Sequence, residues 1–246
     1  MTALDTRSIL DDYERDGVVR VPGLFNREKV DILRAEIERY MREDLPEKPL
    51  DARTLEADGV TVRNLWRMEL HHPEFCRMVE TEVIVALAGQ LVHGEPLLVA
   101  VETFNKPARV GSGVPYHQDN AYFCQSPPDM LTIWVAMDPV TLENGPVYYV
   151  RGSHKEGMLP TRPSGMKGNS IGLADPPAIP VSDQFCGLLE PGDALIHQCQ
   201  TIHHSAPNTS EHPRLGLLLV YRGTHTQTDP KLKAAYSVAA TATPPA

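Results

Sequence analysis

The 246-residue chain is 41% hydrophobic and 22% charged, with a formal net charge of −9, which is the make-up of an ordinary globular protein within the size of one large barrel. That acidic balance argues against nucleic-acid and anionic-membrane partners, which need a basic surface. No basic leader with an apolar run follows Met1, and no apolar stretch approaches the roughly 20 residues that span a bilayer, so a cytoplasmic address is expected.

In chain order, "TRSILDDYERDG" predicts a helix stopped by a C-terminal glycine, Gly17, and "VVRVPG" a short strand and turn. "NREKVDILRAEIERYMRE" places Val30, Leu33, Ile37 and Met41 on one helical face, with Asn26 as its N-cap. The polar segment over residues 43–75 shows no period that assigns it. A further helix is predicted in "ETEVIVALAGQLVHG", ending near Gly94. From Pro96 the texture changes to β-rich runs bounded by Pro, Gly, Asn and Asp: "PLLVAVETFNK", "DMLTIWVAMD", "GPVYYV", "DALIHQ" and "RLGLLLVYRG". Strands of this kind after helices predict a mainly β fold with flanking helices, a β-barrel or a double-sheet jelly roll. The Gly- and Pro-rich stretch Ser153 to Asp183 reads as a long loop, a candidate lid. Residues 1–230 are expected to form one domain and residues 231–246 a flexible tail.

The four cysteines, Cys76, Cys124, Cys186 and Cys199, form no CxxC pair and suit neither a zinc finger nor a disulfide scaffold. Reduced structural thiols are the default, with Cys124 a candidate pocket residue. A Cys–His hydrolase built on it lacks any nucleophile signature.

The stretch "PYHQDNAYF" carries the chemistry. In an extended strand, residues two apart share a face, so His117 and Asp119 would project together. An HxD pair is common by chance and also fits a solvated polar turn. Two histidines with one carboxylate, however, make the facial triad of non-haem iron oxygenases. A third ligand is available in "TIHHSAPNTSEHPRLGLLLVY", where adjacent His203 and His204 would face opposite ways, so at most one serves. Arg214 opens the last apolar run. An inward guanidinium there is costly unless it meets an anion, and its planar fork suits a carboxylate. A surface salt bridge is the plainer reading of the same residue.

Together, "YHQD", "LTIWVAMDPVTLENGPVYYVRGSHK" and "PGDALIHQCQTIHHSAPNTSEHPR" resemble the phytanoyl-CoA dioxygenase family of Fe(II)/2-oxoglutarate-dependent oxygenases. The likeness runs from "YERDGVVRVPGLF" to "VYRG". It implies a double-stranded β-helix fold, Fe(II) and 2-oxoglutarate as cofactors, and O2 and a small molecule as reaction partners. It places the iron ligands on His117, Asp119 and His203, because His203 begins the family's H-x-S-x-x-N stretch. It assigns Arg214 and Ser205 to the distal carboxylate of 2-oxoglutarate, and Trp134 and Thr132 to the co-substrate pocket. Glu102, Thr103 and Asn105 fall where the family has further pocket residues, and Tyr122 and Phe123 are expected beside the substrate. A carboxylate at Asp119 favours oxygenation over halogenation. Hydroxylation of a small polar metabolite or natural product is the leading expectation. Oxidative ring closure or desaturation, and a non-redox metal-binding barrel, are the alternatives.

Overall fold

A computed structural model of the chain describes residues 5–166 and 168–241. Helix α1 (Thr6–Asp16) starts where the Asp5 side chain accepts the Ser8 N–H and stops where Gly17 turns left-handed at φ 74°. Strand β1 (Val18–Val21) leads to α2 (Arg27–Arg39), whose N-cap is Asn26, accepting the Lys29 N–H at 2.8 Å. The segment that sequence left open holds short π and 3-10 turns, then β2 (Arg53–Leu55), β3 (Val62–Leu65), α3 (Met68–His71) and α4 (Glu74–Val79). After α5 (Glu82–Leu91) come β4 (Pro96–Lys106), β5 (Val114–His117), α6 (Asn120–Phe123), β6 (Gln125–Ser126), β7 (Met130–Ala136) and β8 (Val147–Tyr149). The chain closes with β9 (Thr161–Met166), β10 (Asn169–Leu173), β11 (Phe185–Cys186), β12 (Ala194–Gln198), β13 (His203–Ser205), β14 (Arg214–Gly223), β15 (Gln227–Thr228) and α7 (Pro230–Thr241).

Two antiparallel sheets face each other. The larger has seven strands in the order β1-β12-β7-β14-β4-β3-β2, and the smaller has four in the order β11-β8-β13-β5. Neighbours in space are far apart in sequence, as the jelly roll requires. On the large sheet, Leu131, Ile133, Val135, Ile196, Leu217 and Leu219 point outward. They pack against Leu33 and Ile37 of α2 and Ile84, Leu87 and Leu91 of α5 in the main core. The alternate residues point inward. Cross-strand register lines up Ala100, Val220, Thr132 and His197 in one row and Glu102, Leu218, Trp134 and Leu195 in the next. Period-two alternation thus gives one sheet a dry outer face and a chemically varied inner one.

Two expectations need correction. The chain from residue 231 is not a loose tail as far as Thr241: it is helix α7, which packs Tyr236 and Ala239 against Tyr122, Ala121 and Ile171. Its Ala-rich sequence has little amphipathic contrast, so only tertiary contact reveals it. Residues 242–246 of the expected tail lie outside the described residues. The Ser153–Asp183 stretch is also more than a loop. It contains the antiparallel β9–β10 hairpin, and β10 packs beside β5 and α7. No helix among the described residues is long and apolar enough to cross a membrane.

Candidate metal centre and co-substrate pocket

The two histidines are brought together by strand pairing. In the small sheet, His203 on β13 is registered directly opposite His117 on β5, with ring centroids 4.1 Å apart. Asp119 joins them by a route that sequence reasoning had wrong. Strand β5 ends at His117, and Asp119 caps α6 in a helical conformation (φ −58°, ψ −31°), so a turn and not a pleat aims its carboxylate. Gln118 pins that turn: fully buried, it donates to the carbonyls of Gly157 and Gln200 at 2.8 and 2.7 Å and accepts the Leu159 N–H.

Asp119 Oδ1 lies 3.4 Å from His117 Nε2 and 3.6 Å from His203 Nε2, and all three ligand atoms fall within 4.8 Å of one another. Each histidine's Nδ1 lies 2.9 Å from a backbone carbonyl, Pro115 O for His117 and Thr201 O for His203. A proton held at Nδ1 leaves Nε2 as the free lone pair, the arrangement that orients metal-ligating imidazoles. Burial keeps His203 neutral by pushing its pKa well below the usual range, and the neighbouring His117 adds to the effect. For Asp119 burial works the other way, towards protonation, but His203, His117 and His197 outweigh it and hold the carboxyl well below its usual range. Two imidazoles and a carboxylate on one point form a donor set that fits a divalent first-row metal with open positions.

The second oxygen of Asp119 is engaged elsewhere. Asp119 Oδ2 accepts the Thr132 hydroxyl at 3.2 Å and lies 3.0 Å from His197 Nε2, while His197 Nδ1 lies 3.3 Å from the Tyr149 hydroxyl. His197 was missed from sequence. The signal was present, because "DALIHQ" alternates and puts a histidine on the face opposite Ile196, in the same row as Thr132.

These groups line a cavity of about 410 Å³ between the sheets, the size of a small-molecule site. Arg214, Ser205, Trp134 and Thr132 all line it, as do Tyr122, Phe123 and Glu102. Thr103 and Asn105 face away: Thr103 Oγ1 accepts the Leu65 N–H and Asn105 donates to Val62 O. Cys124 is buried, its thiol directed at the carbonyls of Ala121 and Tyr122, and is not a pocket residue.

Arg214 is 1% exposed, yet its Nε and Nη1 have no hydrogen-bond partner among the described residues. Burial pushes its pKa down to about 10 despite the countering influence of Tyr149 and Asp138. Its guanidinium stacks over Trp134, 4.9 Å from the ring centroid. A Cβ at Gly216 would lie 2.1 Å from Trp134 Cζ2, so only glycine lets that indole lie flat beneath the arginine. An orphaned buried cation in the same cavity as three residues that could hold a metal ion is suited to an anion, and a dicarboxylate that reaches the triad by its other end fits it.

A jelly roll with such a triad and an inward arginine defines a class, the 2-oxoglutarate-dependent non-haem iron oxygenases. The pattern of the phytanoyl-CoA dioxygenase (PhyH) family matches residues 13–216. The chain belongs to that family, and it is a 2-oxoglutarate-dependent iron dioxygenase. Among curated relatives, L-proline trans-4-hydroxylase of Streptomyces griseoviridis is 29% identical, the match covering 89% of this chain and 87% of the relative. Ectoine dioxygenase of Bordetella parapertussis is 26% identical over 89% of this chain and 75% of its own. Among solved structures, the epimerase SnoN in complex with Fe3+, α-ketoglutarate and nogalamycin RO superposes with a TM-score of 0.72 at 25% identity, covering 92% of this chain and 86% of that one. EctD from S. alaskensis with 2-oxoglutarate and 5-hydroxyectoine shares the fold at 18% identity and TM-score 0.72, over 87% and 74% of the two chains.

Proposed function

We propose that the protein hydroxylates an unactivated C–H bond of a small polar metabolite or natural product, with His117, Asp119 and His203 as iron ligands. Arg214 and Ser205 hold the far carboxylate of 2-oxoglutarate, and Trp134 and Thr132 shape its pocket. The observation that carries this reading is the unpartnered guanidinium of Arg214 in the cavity that also holds the three convergent ligand atoms.

When bound, Fe(II) and 2-oxoglutarate supply oxidation of a C–H bond by O2, coupled to loss of CO2 from the co-substrate. The protein's part is positioning. Nδ1 protons held on Pro115 and Thr201 carbonyls fix both imidazole planes, and His197 with Thr132 fixes the carboxylate. Arg214 replaces water around the incoming carboxylate with a charged fork already in place, which favours one orientation of the co-substrate. Tyr122, Phe123, Leu218 and Val220 give the cavity apolar walls that exclude bulk water. The Tyr122 hydroxyl donates to Ile171 O at 2.7 Å and so ties α6 to the β9–β10 hairpin, which supports the hairpin as a cover for the site.

Succinate formation from 2-oxoglutarate that requires Fe(II), O2 and a small-molecule substrate tests the reading. A chain that binds metal but releases no succinate with any substrate is a non-redox metal protein and overturns it. One neighbour of the fold, SnoN, is an epimerase from nogalamycin biosynthesis, so the outcome at this site is to be read from the product. Hydroxylation adds an oxygen atom to the substrate, ring closure or desaturation removes two hydrogens, and epimerisation leaves the mass unchanged, so product mass separates them.

A further inference from the structure

The cavity wall holds a second carboxylate that the reaction does not use. Glu102 projects inward from β4 in the row of Leu218 and Trp134. Arg214 pairs in register with Lys106, four residues beyond Glu102 on the same strand, so the backbone positions of the two charged residues are about 13 Å apart along it. On one side of Glu102 lies Phe104, met edge-on by Trp66 at 5.7 Å. On the other lie Ala100, Val220 and Phe123.

The charge of Arg67 offsets the burial of this carboxyl only in part. The backbone N–H of Arg67 bonds the Glu102 carboxyl, while the Arg67 guanidinium is paired with Glu69. Glu69 in turn accepts the Val101 N–H at 2.8 Å. Among the described residues no ion pair reaches Glu102, and burial raises its pKa to about 8. A carboxyl with no ion-pair partner among the described residues, in an aromatic and apolar wall, costs stability, and the cost is recovered when a ligand brings the opposite charge. Ring faces beside it add attraction for a cation.

Resting on the reading of this cavity as the active site, we propose that Glu102 is a specificity-determining residue and that the substrate carries a protonated amine, received by its carboxylate between Trp66 and Phe104. The cavity then sorts its two small molecules by charge. The dicarboxylate is drawn to Arg214 and disfavoured near Glu102, and the cationic substrate does the reverse.

Trp66 and Trp134 are the chain's two tryptophans and both line this cavity, so their fluorescence reports binding. The protein loaded with Fe(II) and 2-oxoglutarate under nitrogen is titrated with proline, ethanolamine and glucosamine, and with the N-acetyl form of each. At least one amine is expected to bind ten-fold or more tighter than its acetylated twin. Glu102→Gln and Glu102→Leu should both abolish that preference while 2-oxoglutarate binds as in the parent protein. Equal binding of amines and acetylated twins, failure of all three amines, or a preference that survives in Glu102→Gln overturns the inference. That last outcome would make Glu102 a neutral hydrogen-bonding group. A parent protein that fails to bind 2-oxoglutarate instead overturns the oxygenase reading itself, and the two failures are therefore distinguishable.

Discussion

The two faces of the seven-stranded sheet are built by the same strands and do opposite jobs. Outward, Leu131, Ile133, Val135, Leu217 and Leu219 meet helices α2 and α5 in a dry contact. Inward, one residue along in each strand, Thr132, Trp134, Leu218 and His197 face the cavity with Glu102 and Arg214. The outer face gains free energy by burial, which stiffens the strands. The inner face gives some of that gain up by burying a guanidinium without hydrogen-bond partners and by walling in a carboxyl that has no ion-pair partner among the described residues. A rigid outer layer is what allows a costly inner layer to keep its geometry.

The comparison can be broken by substitutions that cross between the faces. Arg214→Ala on the inner face should raise the 2-oxoglutarate requirement at least about 30-fold, the equivalent of about 2 kcal/mol or more. It should leave thermal stability intact or raised, since a buried unpaired charge is removed. Succinate formation against co-substrate concentration, beside a melting curve, reads both. Leu217→Ala on the outer face should do the reverse, costing about 2–5 kcal/mol of stability while the surviving folded fraction keeps its 2-oxoglutarate affinity. Denaturant unfolding with and without co-substrate checks this, and equal losses of affinity in both variants would dissolve the distinction between the faces. A finer probe is His197→Asn. It keeps a polar group in the row of Thr132 but removes the nitrogen that lies 3.0 Å from Asp119 Oδ2. Metal affinity should fall about 10- to 100-fold with little change in stability, as calorimetric titration of Fe(II) under nitrogen would record.

The outer face was easier to read in the sequence than the inner one. Runs such as "LTIWVA" and "RLGLLLVY" announce strands because apolar residues dominate both parities, and Asn26 and Gly17 mark helix ends by their own chemistry. The triad was legible as residue types, yet the local geometry at Asp119 was not, because a turn after β5 and not strand alternation aims the carboxylate. His197 was overlooked for a related reason. Its role follows from register with Thr132 across β12 and β7, and register between distant strands is not written in either strand alone. Helix α7 was invisible because its Ala-rich sequence carries weak periodicity, and the contacts that hold it, Tyr236 on Tyr122 and Ala239 near Ile171, come from elsewhere in the chain. Gly216 carries no signal of its own in the sequence, since its role is to leave room for the Trp134 ring.

The assignment of one histidine of the adjacent pair is the point on which the metal centre turns. His203 faces His117 and Asp119, whereas the His204 ring lies against Tyr116 and Tyr148, with centroids 3.9 and 5.3 Å away. Anaerobic Fe(II) titration of the parent protein, His203→Ala and His204→Ala decides between them. One iron per chain should bind to the parent protein and to His204→Ala, and none to His203→Ala at matched concentration. Equal iron binding by the two variants, or loss confined to His204→Ala, would contradict the centre described here.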